Sequence, residues 1–562
     1  MHGRVKVKTS AEQAETKRKE REKKLKLYQV ASAAAASKRA NGEFDKEALE
    51  ITQNILEQNP DIASLWNFRR EILLFWEKDR QEEVQEVLSL ELPFLESCLR
   101  VNPKSYGAWH HRAWVLVHAK HTDWAKELRL CGAFLQKDER NFHCWDHRRF
   151  VVQHAGIPDT DELEYTSQLI STNFSNYSAW HYRSCLLPRI YPDPEQKGRV
   201  AEDQLLKEYE LAQNAFFTDP SDQSAWFYHR WLLGRAEIED AITCVYVSKP
   251  LQTVLVSFSK PVNLRNEEDE AVLFVDSRPF PSKWQVPDKR STFSHVWVCK
   301  LPPGLLEGET LQHCLHVSWK DGRLKKECLL YPGSKESWCQ DSATDQKLFS
   351  LELSIEKSSV LRAEMDSCRQ LLDLEPENKW CLLTCILLSR VLDPLGHASK
   401  TLTWFKKLLA VDPLRTGYYK DLRSKYQVED GLLCMEYAET RVLHLARKEL
   451  TSLFHLDLMV LVTHLDVSGN CLHVLPLAMS CLQCLQVLHA DDNEIEDIEG
   501  VRNLPVLQDV CLKNNRLAHL SQLQPLTSCC RLVSVELGGN LVENLPDFYT
   551  HLHELLTHTR PV

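Results

Sequence analysis

Two pairs of side chains in this sequence have a spacing at which proteins bind metal ions. Cys481 and Cys484 form a C-x-x-C pair, and His143 and His147 lie four residues apart, about one turn of a helix. The sequence has no second cysteine pair at zinc-ribbon spacing, and no glutamate that could act as a general base lies between the two histidines. The cysteines are therefore interpreted as packed side chains and the histidines as packed or surface side chains, and no metal bound by this chain is predicted.

Composition and charge exclude several classes of protein. The chain has 562 residues, 43% of them hydrophobic and 26% charged, with a formal net charge of −11. This balance is typical of a globular protein of several domains and argues against a nucleic-acid binder. We expect no membrane span, because no apolar run has the required length, and no secretory leader. The 19 cysteines, an odd number spread along the chain, fit reduced thiols and a cytoplasmic location.

The elements that must position any site are indicated by a recurring tryptophan. Successive copies lie 43, 36, 35 and 46 residues apart, the length of a helix, a turn and a second helix. Residues three apart share one side of a helix, so we expect each Trp to pack between neighbouring hairpins. The Arg beside it should bond helix-end carbonyls or a carboxylate of the next repeat. The copies are Trp66–Arg69, Trp109–Arg112, Trp145–Arg148, Trp180–Arg183 and Trp226, whose Arg comes one place later at Arg230.

A sixth copy is expected at Trp380, with Leu383 where the Arg should be. The step of 154 residues from Trp226 is far longer than any other interval, which indicates an insertion within the helical array. The inserted segment has short β-branched and aromatic runs broken by Pro, Gly, Asp and Ser. This pattern is typical of an antiparallel, immunoglobulin-like sandwich of about seven strands. We expect Trp297 and Trp319 to lie in its core.

A third pattern begins near residue 440. Four segments fit L-x-x-L-x-L-x-x-N-x-L, with asparagines 23, 22 and 25 residues apart, a strong signal of leucine-rich repeats. The asparagine side chains are expected to satisfy backbone groups at the turn after each short strand. These asparagines are Asn470, Asn493, Asn515 and Asn540.

The sequence thus predicts a multidomain, mainly α-helical protein in which a right-handed superhelix of hairpins carries an inserted β-sandwich and a C-terminal leucine-rich-repeat solenoid. The predicted parts are a basic arm or helix (1–30), the first helical repeats (31–240), the sandwich (241–350), the last helical repeats (351–440) and the leucine-rich repeats (441–562).

The helical copies resemble the α subunits of protein prenyltransferases, whose repeat is Pro-x-Asn-Tyr-x-x-Trp-x-x-Arg. The segment "NPKSYGAWHHR" matches it with Ser105 in place of Asn, and "DERNFHCWDHR" has Phe142 in place of Tyr. The resemblance covers roughly residues 40–240 and 350–430. The added sandwich and leucine-rich repeats narrow it to the Rab-directed, type II branch of the family.

The resemblance implies a function shared between two chains. An α subunit of this kind wraps around a β subunit, which holds a zinc ion that activates the substrate cysteine and a funnel for geranylgeranyl diphosphate. The acceptors are C-terminal cysteines of Rab GTPases presented by a Rab escort protein. This chain would contribute to diphosphate binding and to escort docking, and would be inactive alone.

The resemblance also implies site residues. Lys104 and Tyr106 match a lysine and a tyrosine that the family supplies to the diphosphate site, where growing negative charge needs a fixed cation. Arg140 and His143 fill the equivalent loop of the next repeat and are candidate substrate-binding residues. Without the resemblance, Lys104 would be interpreted as a solvated turn lysine.

An interpretation from another class is a non-catalytic scaffold, in which tetratricopeptide-like helical repeats and leucine-rich repeats join partner proteins. Tetratricopeptide units have a strict period of 34 residues. The uneven intervals and the Trp-x-x-Arg core of this chain favour the prenyltransferase interpretation.

Overall fold

The computed structural model describes residues 11–78, 80–194, 196–234, 238–266, 270–306, 312–341 and 354–557. The chain divides into two compact units, one ending at Ile190 and the other beginning at Tyr191. Among the described residues, none of the helices has the length and apolar character needed to cross a membrane.

The first unit is helical. Its first described element is a long helix that contains much of the predicted basic arm. Residues 1–10 of that arm lie outside the described residues. After the long helix, helices pair into hairpins of two consecutive elements. The helices are α1 (Ala11–Asn41), α2 (Lys46–Gln58), α3 (Ala63–Glu77), α4 (Gln81–Val101), α5 (Tyr106–His118), α6 (Trp124–Lys137), α7 (Phe142–Ala155), α8 (Asp159–Thr172) and α9 (Tyr177–Ile190).

The second unit begins and continues with hairpins of the same kind, separated by the β-rich insert. Its helices are α10 (Glu202–Thr218), α11 (Gln223–Leu232), α12 (Ile355–Leu374), α13 (Lys379–Leu392), α14 (Ala398–Val411), α15 (Thr416–Tyr437) and, near the C-terminus, α16 (Phe548–Thr557).

In most repeats the second helix begins where the side chain of the preceding residue caps the free backbone N–H groups; α3, which follows Ile62, is an exception. Ser105 accepts from the N–H of Ala108, Asn141 from that of Cys144, and Asn378 from that of Cys381. The same side chains also join neighbouring repeats. Ser105 donates to the carbonyl of Pro60, and Asn141 to that of Pro103, each at a distance of 2.8 Å. The cap therefore fixes both the start of the helix and the register between hairpins.

The insert consists of two antiparallel sheets packed face to face. One has the strand order β5-β6-β2-β1-β9, and the other β4-β3-β7-β8. Trp297 and Trp319 are almost fully buried between them, so the prediction that they lie in the core is confirmed. The strands are β1 (Ile242–Ser248), β2 (Thr253–Val262), β3 (Ala271–Val275), β4 (Arg278–Phe280), β5 (Trp284–Gln285), β6 (Ser294–Lys300), β7 (His313–Trp319), β8 (Leu324–Leu330) and β9 (Glu336–Gln340).

The C-terminal region is a parallel sheet of three-residue strands with 3₁₀ turns between them. Asn470 shows how it is held: its amide oxygen accepts from the N–H groups of Lys448 and Leu450, and its nitrogen donates to the carbonyls of Leu445 and Val467. The predicted role of the asparagine side chains is confirmed. The strands are β10 (Val442–His444), β11 (His464–Asp466), β12 (Val487–His489), β13 (Asp509–Cys511) and β14 (Ser534–Glu536).

Candidate functional site

The recurring tryptophan is the fourth residue of the second helix in five hairpins. In each, the indole N–H donates to the carbonyl six residues earlier, in the turn that precedes the helix. For Trp66 and Trp109 these carbonyls belong to Pro60 and Pro103, each at 2.8 Å. Because Pro60 also accepts from Ser105 of the next hairpin, the tryptophan and the cap close one inter-repeat joint. The predicted packing of the tryptophans between hairpins is confirmed.

The arginine is the seventh residue of the same helix, and in the first three hairpins it pairs with a buried glutamate of the next hairpin. Arg112 bonds Glu127 through Nε at 2.9 Å and Nη2 at 2.5 Å, and Arg148 bonds Glu162 in the same way. Arg69 pairs with Glu91 and also donates to the carbonyl of Leu49. The sequence prediction of a carboxylate or a helix carbonyl as partner is therefore correct.

Buried histidines complete two of these joints. His111 lies 3.1 Å from the Glu91 carboxylate, and His147 lies 3.4 Å from that of Glu127. Burial alone would raise the pKa of each glutamate, but the neighbouring guanidinium and imidazole groups outweigh it and hold the pKa at about 2. Burial lowers the pKa of both histidines. These groups form a structural joint, which accounts for His147 without a metal.

The structure corrects the register of two copies. In α11 the seventh residue is His229, not Arg230, and its Nε2 lies 2.5 Å from the buried carboxylate of Glu364 in α12. In α13 the fourth and seventh residues are Leu382 and Cys385, so Trp380 is the second residue of the helix and does not occupy the tryptophan position. The prediction of a sixth Trp copy at Trp380, with Leu383 at the Arg position, was therefore wrong. The cap Asn378, and not the tryptophan, sets the start of this helix.

The predicted site residues Lys104 and Tyr106 flank the cap of α5. The Lys104 ammonium lies 3.1 Å from the Asp138 carboxylate in the equivalent turn of the next hairpin, and its side chain is 60% exposed. Tyr106 is 72% exposed, and its ring meets the His143 ring edge-on, with 4.1 Å between centroids. One cation and one phenol therefore face solvent from the N-terminal end of a helix.

The predicted residues of the next turn lie beside them. His143 is buried beneath the Tyr106 ring, and burial lowers its pKa, with a further lowering from Lys104. Arg140 is exposed and donates from Nη2 to the carbonyl of Ser175, over 3.3 Å. The structure thus brings Lys104, Tyr106 and His143 together, while Arg140 bonds one repeat further on.

This end of the first unit has the chemistry of an anion-binding surface. The N-termini of α5 and α7 carry partial positive charge from their backbone N–H groups, and Lys104 and Arg140 add two full charges beside them. Asp138 pairs with the Lys104 ammonium within this surface.

Sequence reasoning missed some features of this surface. Asp138 was not identified as the partner of Lys104, although it lies in the turn before the next Trp. Phe142 and Tyr177 are the first residues of α7 and α9, at the position of Tyr106, and about half of each residue is exposed. Aligning the residues after each cap would have found this row of exposed aromatic side chains.

The cysteines confirm one interpretation and add an unexpected cluster. Cys481 and Cys484 pack in an apolar cluster that joins the insert to the C-terminal region, with Tyr246 and Val460 among its members. They do not form part of any group of potential metal ligands among the described residues. The structure instead brings together three buried thiols, those of Cys368, Cys381 and Cys385.

Comparisons with known proteins agree with this architecture. The family model "Protein prenyltransferase alpha subunit repeat" matches five segments, and "Rab geranylgeranyl transferase alpha-subunit, insert domain" matches residues 242–343. A solved structure titled "Candida albicans protein geranylgeranyltransferase-I complexed with GGPP" is 22% identical over 37% of this chain and 66% of that chain, with a TM-score of 0.31. The five repeat segments are 45–76, 88–119, 124–155, 159–190 and 205–236.

Relatives match over almost the whole chain. The "Geranylgeranyl transferase type-2 subunit alpha" of Bos taurus is 55% identical over 559 residues, which cover 99% of each chain. The protein of the same name from Homo sapiens gives the same identity and coverage. The chain therefore belongs to the family of geranylgeranyl transferase type-2 α subunits.

Proposed function

We propose that this chain is the α subunit of a heterodimer that transfers a geranylgeranyl group from geranylgeranyl diphosphate to C-terminal cysteines of Rab GTPases. The observation that carries this proposal is the similarity, over 99% of both chains, to type-2 α subunits. The insert match, whose family is named for Rab geranylgeranyl transferase, favours Rab proteins as acceptors.

In this proposal the reaction is divided between two chains. A zinc ion held by the β subunit supplies the activation of the acceptor cysteine as a thiolate. The α subunit supplies positive charge for the diphosphate that leaves as the thioether bond forms. This chain alone is therefore expected to be inactive.

Lys104 is the proposed cation. Its ammonium lies at the N-terminal end of α5, is mostly exposed, and pairs with the Asp138 carboxylate at 3.1 Å. When the diphosphate leaves, its negative charge grows, so a fixed ammonium stabilises the transition state more than the ground state. The Tyr106 hydroxyl would donate a hydrogen bond to the same group.

Arg140 and His143 are assigned supporting roles in substrate binding. His143 is buried against the Tyr106 ring and fixes the orientation of the phenol. Because burial lowers the pKa of His143, this residue acts as a neutral support and not as a second cation. Arg140 extends the positive surface toward the next turn.

A Rab escort protein is the proposed second partner, bound on the outer face of the helical repeats between residues 140 and 240. The β subunit would occupy the inner face. We further propose that the insert is an immunoglobulin-like sandwich and the C-terminal region a leucine-rich-repeat solenoid, supported by the sheet order and by the asparagine bonds of each turn. A cytoplasmic location is proposed because all cysteines are free thiols.

The alternative function, a non-catalytic scaffold, leads to a different experimental outcome. Native purification of the chain from its source should recover a stoichiometric β subunit of the prenyltransferase type. The complex should transfer radiolabelled geranylgeranyl to a Rab protein when escort protein is added. A chain that purifies with other partners and with no such β subunit would favour the scaffold.

A further inference from the structure

Three cysteines converge at one place in the hairpin that follows the insert. Cys368 lies on α12, and Cys381 and Cys385 lie four residues apart on α13. Their sulfur atoms all lie within 4.8 Å of one another, and each residue is fully buried. Within the part of the chain that the structure describes, no other group of three or more potential metal ligands has its donor atoms this close together.

Each of the three cysteine positions has an equivalent in the other hairpins, so the residues found at these positions can be compared. Cys381 and Cys385 are the third and seventh residues of their helix, and Cys368 precedes Cys381 by 13 residues. In the first and fourth hairpins the position of Cys368 is a threonine, Thr52 or Thr166. The seventh position is an arginine that donates to this hydroxyl. Those two hairpins therefore have a hydrogen bond between arginine and threonine at the positions where the hairpin of α12 and α13 has thiols.

The third hairpin provides a natural comparison. It has cysteines at two of the three positions, Cys131 and Cys144, and the Cys144 thiol donates to the carbonyl of Cys131 at 3.4 Å. Cys381 donates to the carbonyl of Cys368 in the same way, at 3.2 Å. The seventh residue of the second helix differs, because it is Arg148 in the third hairpin and Cys385 in the hairpin of α12 and α13. Only the replacement of the arginine by a third thiol completes a set of three sulfur donors.

We propose that Cys368, Cys381 and Cys385 form a three-thiolate site for a soft d¹⁰ metal ion, Zn²⁺ or Cu⁺, which links α12 to α13. Thiolates select these ions over Mg²⁺ and Ca²⁺, which prefer oxygen ligands. Three sulfur atoms that each bind a zinc ion at about 2.3 Å lie about 4 Å apart, so the present cluster has to contract by less than about 1 Å.

The protons and charges of this step balance without any redox change. Three S–H groups lose their protons to solvent as three metal–sulfur bonds form. The product carries one net negative charge with Zn²⁺ and two with Cu⁺. Hydrogen bonds from the other two thiols lower the pKa of Cys385 most, and the Arg369 guanidinium, which pairs with Asp366 at 3.4 Å, lowers it less. A set of three sulfur donors matches the geometry that Cu⁺ accepts.

Such a link would have a structural purpose in this position. The hairpin of α12 and α13 is the first after the insert, where the repeats resume. In the first and fourth hairpins the seventh residue, Arg69 or Arg183, ties its helix to the first helix of the same hairpin through the threonine hydroxyl, and Cys385 has no guanidinium to make this bond. A metal bound by Cys385 would replace that tie.

The test uses substitutions that other hairpins already accommodate. Cys368→Thr introduces the residue of Thr52 and Thr166, and Cys381→Ala introduces that of Ala108 and Ala179. Cys144→Ala is the matched control, because it removes a thiol from the two-thiol position. Full-length chains, with the β subunit where it is needed for folding, are loaded separately with Zn²⁺ or, without oxygen, with Cu⁺, then desalted and analysed for metal.

The wild type and the Cys144→Ala control should each hold one metal ion more than either site variant, and the ion retained identifies Zn²⁺ or Cu⁺. Any zinc of the β subunit is common to all samples and cancels in the difference. Added Cd²⁺ should give a thiolate-to-metal absorption band that both site variants reduce by the same amount. Equal metal content in wild type and folded site variants overturns the proposal. If neither variant folds, a wild type without such a band on Cd²⁺ addition overturns it.

Discussion

The exposed lysine at the start of α5 provides the most informative substitution. Lys104→Ala removes the ammonium that lies 3.1 Å from Asp138 and leaves the Ser105 cap and the buried hairpin joints unchanged. If the ammonium stabilises the departing diphosphate, kcat of the heterodimer should fall by roughly 10²–10³, equivalent to about 2.7–4 kcal/mol of transition-state stabilisation. Tyr106→Phe removes one hydroxyl and should cost less.

The same change should have little effect on stability. The Lys104 side chain is 60% exposed and that of Asp138 is 37% exposed, so water screens the ion pair. Exposed pairs of this kind contribute between 0 and about 1 kcal/mol to folding. The large expected loss of rate and the small expected loss of stability therefore separate a catalytic role from a structural one.

Single-turnover rates at saturating geranylgeranyl diphosphate, measured beside the affinity of the two subunits, are the appropriate assay. Lys46→Ala is the matched control, because Lys46 is an exposed lysine of the same unit with a carboxylate partner, Glu83, at 2.8 Å. The control should keep the rate of the wild type. An unchanged chemical step in Lys104→Ala would refute the assignment and make Lys104 a solvated turn residue.

Further predictions concern the joints and the added domains. Arg112→Leu leaves the buried Glu127 without its guanidinium and should lower the free energy of unfolding by about 3–5 kcal/mol in chemical denaturation, whereas Arg100→Leu, at the exposed pair with Glu96, should change it by less than about 1 kcal/mol. The pKa of Glu91 and of Glu127 is held at about 2, below the usual 4.5, so their stabilisation is complete above pH 4.5 and is lost as the pH falls toward 2. Unfolding curves over this range should show that decline, and a Glu91→Gln/Glu127→Gln variant should show a shallower slope; a slope equal to that of the wild type would contradict the assignment. Removal of the insert together with the C-terminal region, which share the apolar cluster around Tyr246 and Val460, should leave the transfer rate of an assembled heterodimer within about 100-fold of the wild type, and a greater loss would mean that these domains shape the active site.

Features with a regular period could be predicted from the sequence. The tryptophan intervals gave the helical hairpins, and the spacing of Asn470, Asn493 and the later asparagines gave the turns of the C-terminal region. The breaks by Pro, Gly, Asp and Ser gave the strands of the insert. Each of these patterns reflects a single local requirement, namely a buried ring, a satisfied backbone group or a turn.

Features that depend on contacts between distant elements could not be predicted. The sequence prediction placed Trp380 at the tryptophan position of the repeat. The cap Asn378 decides where the helix begins, and it puts Leu382 at that position. The seventh residue of α11 is a histidine whose partner, Glu364, comes after the whole insert. The candidate site shows the same limit: the motif indicated Lys104 and Tyr106, but only the stacking of two turns brings Asp138 and His143 to them.

The central claim is that this chain acts in transfer only together with a β subunit, and reconstitution tests it most directly. The purified chain, a prenyltransferase β subunit, and both together are each incubated with geranylgeranyl diphosphate, a Rab protein and escort protein, and thioether formation is followed by mass spectrometry. The account predicts transfer to C-terminal Rab cysteines by the heterodimer and not by either subunit on its own. Turnover by this chain without a β subunit, or an assembled heterodimer without activity on any Rab protein, would contradict it.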